Sequence, residues 1–402
     1  MNILLIGAQI TPFESEIFVG GVANNVARIS KGFKVSKNIC PTIITSKFPI
    51  QKFENKIIPV SWGNISIINV KGKYSSFRYG TDFMVKSLIE ATKLNSIYNF
   101  DIVNGHSGYA PMGLVTIACS KKLNLPSVHT LYCPSTSQNI SSFGKNIFTS
   151  PFFMKCYLNK LDKIIAVSNN VKTSLLNIGI KNEKISIVPL CVDENLFNQT
   201  IKGDKIRQDL ISSSDDFLIL FVGNLTWIKG IDILIDAMST IVPKYPNFKL
   251  IVMLGFAYDG IMKGRLLSKI KILNLGNNVK LYSNINNINE YMAASDVVVL
   301  PFINTDGPSD YPLVLLEAMA LGKTVIASSI GGIPEVIRHL ENGILVSPGN
   351  VFELSNYLIK IYNDSNLKNK LGNAAAKDIF NKYSINRVTK LTEYIYEEIV
   401  KK

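Results

Sequence analysis

Several residues in this chain are of types and spacings that could do chemistry. Glu317 stands in PLVLLEAMALG, an otherwise apolar helical stretch. A carboxylate there is costly unless it is hydrogen-bonded. The two adjacent hydroxyls of a ribose could both donate to it; the plainer reading is a Glu at the helix edge touching water. Lys229, in FVGNLTWIKGIDILIDAM, sits before Gly230 between a strand-like run and a helix-like one. A diphosphate in such a crevice needs cationic or N–H partners, although a lone Lys is also an ordinary surface residue. Gly20 and Gly21 open a helical run through Val22, Val26 and Ile29. Glycines at a helix N-terminus let a phosphate or sugar approach the backbone N–H groups, but a Gly-Gly alone is usually a turn. His129 falls near the end of the run SVHT, where a lone His is more often structural than functional. His106 and His339 read as structural.

The elements that must position these groups are legible around Glu317. Residues 297–300 are a continuous apolar run and read as a buried parallel strand. A polar loop with Gly307, Pro308, Ser309 and Asp310 follows, and Pro312 suits the first turn of a helix. Residues 313–321 are apolar almost all round, which predicts a buried helix. Gly322 ends it and residues 325–327 form the next strand. This is a strand–loop–helix–strand unit of a doubly wound sheet, in which ligands sit at the carboxyl ends of the strands.

The words PLVLLEAMALGKTVIAS, GGIPEVI and NGILV together resemble the donor half of retaining GT-B glycosyltransferases of family 4. The resemblance implies a GT-B fold: α/β, with two Rossmann-like doubly wound parallel-sheet domains facing a cleft. The family signature is a Glu, seven residues, then a second Glu. Glu317 matches the second, which implies contact with the nucleotide ribose. The first falls on Ser309, with Asp310 beside it, so Asp310 or the backbone N–H groups near Leu313 and Val314 are expected to serve the sugar-facing role. Asn224 stands where the family has Arg and Lys229 matches its Lys, which implies a weaker phosphate clamp. VKLYSNI resembles the base-binding turn, placing the backbone of Ile285 against the base. Gly20 and Gly21 match the loop that faces the donor's phosphate and sugar. His129, in its VHT context, resembles a His facing the donor sugar. IVPLCVDENLF resembles the interdomain segment, with Leu190 and Cys191 where Asn-Gly is usual.

Strands are expected at residues 2–7, 41–45, 57–60, 65–70, 101–104, 127–130, 163–167 and 185–189, with helices at 83–94, 113–123 and 171–176. Residues 196–214 are polar and read as a linker. A second domain starts with a strand at 217–223, continues with strands at 248–254, 279–281 and 297–300, and has a helix at 351–362. A short helix at 394–400 closes the chain. The domains are therefore placed at 1–195 and 215–383, with a C-terminal helix at 384–402 packing back on the first, as the resemblance implies.

The 402 residues suit two domains. At 47% hydrophobic and 18% charged the composition is globular. No apolar run reaches 18 residues and the start lacks a secretory pattern. The five Cys are scattered, as reduced thiols would be. A cytoplasmic protein is expected. Residues 1–200 hold 21 Lys+Arg against 10 Asp+Glu, whereas residues 201–402 hold 22 against 20. The basic first half predicts an anionic partner there. Phe143, Ile147, Phe148, Phe152, Phe153, Met154, Tyr157 and Leu158 interleave with Lys145, Lys155, Lys160 and Lys163, which suits either a core helix or a segment lying on an anionic membrane. No P-loop, G-x-S-x-G, H-E-x-x-H, G-x-G-x-x-G or D-x-D is present, which argues against nucleotide hydrolysis of that type, serine or zinc hydrolysis, dehydrogenation and a metal-bridged diphosphate. The expectation is a retaining, metal-independent transferase. It would need no cofactor and take a nucleotide diphosphate sugar as co-substrate, with a glycan, lipid-linked or other anionic acceptor and no nucleic-acid partner. A nucleotide-sugar epimerase on the same fold and a non-catalytic nucleotide-sugar binder are the alternatives.

Overall fold

A computed structural model describes residues 1–7, 12–14, 17–18, 20–37, 39–46, 57–71, 77–108, 110–134, 150–211, 213–255, 260–283, 285–304 and 309–401. The chain divides into two compact units: Met1–Cys191 with Asp306–Asp310 and Ile385–Lys402, and Val192–Thr305 with Tyr311–Ser384.

In the first unit β1 (Ile3–Ile6) is wholly buried, as an apolar strand covered on both faces must be. A short antiparallel pair, β2 (Pro12–Glu14) and β3 (Ile17–Phe18), leads to α1 (Gly21–Lys37). Then come β4 (Thr42–Ser46), β5 (Ile57–Val60), β6 (Gly63–Ile68), α2 (Phe77–Tyr98), β7 (Ile102–Ser107), α3 (Gly113–Leu123) and β8 (Ser127–Leu131). The run ends with α4 (Pro151–Leu158), β9 (Lys163–Ala166), α5 (Asn169–Asn177) and β10 (Ile185–Ile187). The sheet order is β10-β9-β8-β7-β1-β4-β6-β5, parallel except for β5 against β6. The order reverses between β1 and β7, so the carboxyl ends of those strands bound a crevice of the ligand-binding kind.

The second unit opens with α6 (Asp204–Leu210), inside the stretch expected to be linker. Its polarity does not signal a free chain: Arg207 meets Asp296 at 3.0 Å and the carbonyl of Ala294 at 2.9 Å. Next are β11 (Phe217–Gly223), α7 (Ile231–Ile241), β12 (Phe248–Leu254), α8 (Gly260–Ile272), β13 (Val279–Ser283) and α9 (Ile288–Ala294). They are followed by β14 (Val297–Leu300), α10 (Leu313–Ala320), β15 (Thr324–Ser328), α11 (Ile333–Val336) and β16 (Ile344–Val346), then by α12 (Val351–Asn363) and α13 (Ser365–Lys382). The sheet is all parallel, in the order β13-β12-β11-β14-β15-β16, and reverses between β11 and β14.

The last helix, α14 (Ile385–Val400), belongs to the first unit and packs on α1. It lies within the stretch 384–402, and the short helix read from the pattern of residues 394–400 is its second half. Its first half escapes an apolar-periodicity reading because it buries Thr389, Thr392 and Glu393. Gly32 on α1 makes this approach feasible, since a Cβ there would lie 2.0 Å from Thr389 Oγ1.

Candidate functional site

The second unit places Asn224 and Lys229 after β11 and Leu313, Val314 and Glu317 after β14, on either side of the reversal point. After β11 the chain makes a tight turn at Trp227–Lys229. Gly230 follows at φ +67°, where a Cβ would lie 1.8 Å from the carbonyl oxygen of Pro301. Only glycine fits that approach. The turn is tied down by the Ile303 N–H donating to the carbonyl of Ile228 at 2.8 Å and by Leu225, which is buried. Lys229 Nζ lies 4.0 Å from the centroid of the Phe302 ring, a cation–π contact that holds the ammonium at this end of the sheet. Asn224 is exposed and crowds Gly255. Trp227 is 57% exposed on the same turn.

After β14 the chain enters α10. Pro312 is its N-cap, in extended conformation, rather than a residue of its first turn. Leu313, Leu315, Leu316, Ala318, Met319 and Ala320 are buried, and Val314 and Glu317 are the half-buried positions. Three residues apart, they share one helix face. Glu317 is thus on the side of a core helix that solvent reaches. Ile285, two residues past β13, is half-buried.

In the first unit Gly20 is exposed at φ +99°, a backbone state glycine adopts without strain, and Gly21 begins α1. Neither position has any atom within 4 Å of where a Cβ would stand. His129 differs from its expectation. It is 1% exposed, with Nδ1 2.9 Å from Thr116 Oγ1 and Nε2 3.0 Å from Ser107 Oγ. Both ring nitrogens are engaged between β7, β8 and α3, and burial pushes the ring's pKa down to about 3. Asp310 also departs from the picture of a carboxylate open to a sugar. It is 0% exposed. Ser168 Oγ donates to it at 2.6 Å and Asn170 Nδ2 at 2.7 Å, while its own N–H donates to the carbonyl of Tyr132 at 2.7 Å. Ser168 is the N-cap of α5, accepting from the Val171 N–H at 3.0 Å. The carboxylate therefore caps α5 one step removed. Ser309, beside it, is half-buried. SNN after β9 is the signal for this partnership, and it reads only as an ordinary helix start until the fold brings Asp310 to it.

His106, expected to lie just beyond a strand, is inside β7, which runs on to Ser107. It is 5% exposed, and its Nδ1 is 3.0 Å from Tyr132 Oη. Among the described residues no group of three His, Cys, Asp or Glu is placed to hold a metal ion.

The family description "Glycosyl transferases group 1" matches residues 202–378 and "Glycosyltransferase Family 4" matches residues 19–196. The chain belongs to the group 1, family 4 glycosyltransferases. It is 30% identical to an uncharacterized glycosyltransferase of Methanocaldococcus jannaschii over 241 residues, 58% of this chain and 60% of that one. It is 24% identical to the N-acetyl-alpha-D-glucosaminyl L-malate synthase of Bacillus anthracis over 364 residues, 89% of each. Two solved structures share the fold. The sucrose-phosphate synthase of Thermosynechococcus elongatus has a TM-score of 0.82 at 21% identity, covering 99% of this chain and 98% of the other. The Anabaena protein HepE in complex with UDP-glucose has 0.76 at 19%, covering 99% and 100%. This glycosyltransferase thus has the GT-B fold, with two mostly parallel α/β domains.

Proposed function

We propose that this glycosyltransferase takes a nucleotide diphosphate sugar and transfers the sugar with retention of configuration, without a metal ion. The observation that carries the reading is the arrangement in the second unit. A pinned Lys229 turn and the only half-buried face of α10, Val314 with Glu317, occupy the two sides of the reversal point between β11 and β14. On this reading Glu317 accepts both ribose hydroxyls and the backbone at Ile285 meets the base. Lys229, Asn224 and the N–H groups of Leu313 and Val314 face the diphosphate. Preorganised donors of this kind stabilise charge as it develops on the departing phosphate. With no protein nucleophile assigned, the acceptor attacks on the face the phosphate leaves, and that phosphate takes the acceptor's proton. His129 and Asp310 serve by position: His129 packs β8 against α3, and Asp310 fixes the 309–310 segment to α5. The HepE complex with UDP-glucose supports a nucleotide-sugar donor. The deciding experiment is a screen of UDP-, GDP- and ADP-sugars for nucleotide release and saturable binding. Absence of both with every donor would sink the reading.

The acceptor is proposed to be anionic or lipid-linked, met at the inner face of a membrane. The charge excess of residues 1–200 supports this. In the 143–163 stretch, residues 143–149 lie outside the described residues. Of the rest, Met154, Tyr157 and Leu158 are core, so α4 is no free interfacial helix; Phe152, 69% exposed, and the exposed Lys155 and Lys160 remain for a surface. Among the described residues no helix is long and apolar enough to cross a membrane.

A further inference from the structure

At the carboxyl end of β7 a line of hydrogen bonds starts from a backbone donor that orients its first side chain. The Cys191 N–H can only donate, and it donates to Asn25 Oδ1 at 2.9 Å. That sets the Asn25 amide, so Asn25 Nδ2 donates to Tyr132 Oη at 3.1 Å. The phenol's own proton has no other acceptor among the described residues, so it is directed to His106 Nδ1 at 3.0 Å. Nδ1 is then the accepting nitrogen and Nε2 carries the hydrogen. Among the described residues Nε2 is buried with no hydrogen-bond partner, in contrast to His129, whose two nitrogens are both matched. The other unmatched buried side-chain atoms of this unit, among the described residues, lie on helices or in turns. His106 instead lies on β7 next to β1, where the strand order reverses. Buried donors are matched as a rule, so an unmatched one at the place where doubly wound sheets bind ligands points to a ligand atom. Burial first, and second the repulsion that would arise if the His129 ring were protonated as well, push the pKa of the ring down to about 3. A neutral N–H suits a neutral oxygen; a phosphate is better served by a cation.

We propose that His106 Nε2–H donates a hydrogen bond to a sugar oxygen of a substrate bound at this end of the sheet, with Tyr132 and Asn25 as positioning residues that hold the ring in that tautomer. The inference rests on the glycosyl-transfer reading above. The sugar can be the donor's or the acceptor's, and the assay separates them. With three histidines in the chain, the ring of His106 can be assigned in 15N-histidine-labelled wild type by comparison with a His106→Gln sample. The Nε2–H tautomer is expected there, and Tyr132→Phe should admit the other one. His106→Phe should lower turnover roughly tenfold, the order of one lost hydrogen bond, with nucleotide affinity unchanged. His106→Gln retains an N–H donor and should recover part of the loss. A loss seen in donor hydrolysis without acceptor assigns the bond to the donor's sugar; a loss confined to transfer assigns it to the acceptor's. An Nδ1–H tautomer in wild type, wild-type turnover in His106→Phe, or equal loss in both His106 variants would overturn the proposal. A wild type releasing nucleotide from no donor sinks the glycosyl-transfer reading itself and takes this inference with it.

Discussion

Replacing Asp310 by Asn changes one atom and tests how this residue acts. In the wild type each carboxylate oxygen accepts one side-chain donor, from Ser168 at 2.6 Å and Asn170 at 2.7 Å, in a fully buried site. An amide can keep one oxygen toward Asn170 and turn its NH2 to the Ser168 hydroxyl. Even in that best arrangement two charge-assisted bonds become neutral ones. Bonds to charged groups contribute about 1.5–3 kcal/mol and neutral ones about 0.5–1.5, so the loss is about 2–3 kcal/mol. If that energy holds residues 309–310 in the geometry transfer requires, turnover falls by up to roughly a hundredfold with nucleotide affinity little changed. The assay is steady-state turnover together with nucleotide affinity for Asp310→Asn, Ser168→Ala, Asn170→Ala and Ser309→Ala. Positioning through α5 predicts that Ser168→Ala and Asn170→Ala reproduce the direction of the Asp310→Asn loss, and that Ser309→Ala does less. Wild-type turnover in Asp310→Asn would refute the reasoning. So would a dead Asp310→Asn beside silent Ser168 and Asn170 variants, since the carboxylate would then act on the substrate directly.

Other expectations follow from the same geometry. Glu317→Gln should weaken nucleotide binding by about 1.5–3 kcal/mol, because an amide accepts at one oxygen only; Trp227 fluorescence is a direct readout, as the other tryptophan, Trp62, is buried, and unchanged affinity would remove the ribose assignment. EDTA should leave turnover nearly intact, and loss restored by a divalent ion would overturn metal independence. His106 and His129 are held neutral with pKa values of about 3, below the unfolded value of about 6.5. The unfolded state therefore binds more protons between those limits, and stability that is complete above pH 6.5 falls as the pH drops toward 3, by about 2 kcal/mol per ring at pH 5. Urea midpoints at pH 7 and pH 5 should show this, and His129→Gln should lessen the difference; an unaltered difference would contradict it. Sedimentation should show binding to anionic but not neutral vesicles, weakening as salt rises; failure to pellet with either would leave the basic half without a membrane role.

What the sequence determined by itself was the architecture of the second unit. The strands at 217–223, 248–254 and 297–300 are continuous apolar runs, and such runs read unambiguously when both faces of a strand are covered. The buried character of α10 followed from residues that are apolar all round, and Glu317 stood out because it broke that pattern. Short-range patterns of this kind are carried by neighbours in the chain. The tertiary structure decided what distant residues do to one another. Asp310 meets Ser168 and Asn170 across about 140 residues of sequence, and Cys191, Asn25, Tyr132 and His106 form one line from four separate segments. Polar residues inside a fold have no periodicity to betray them, which is also why α6 read as linker. His129 and Asp310 were chosen for their chemical type and place in the chain. Their burial, and the hydrogen bonds that engage both, depend on α3 and α5 packing over the sheet, and that is a property of the folded chain alone.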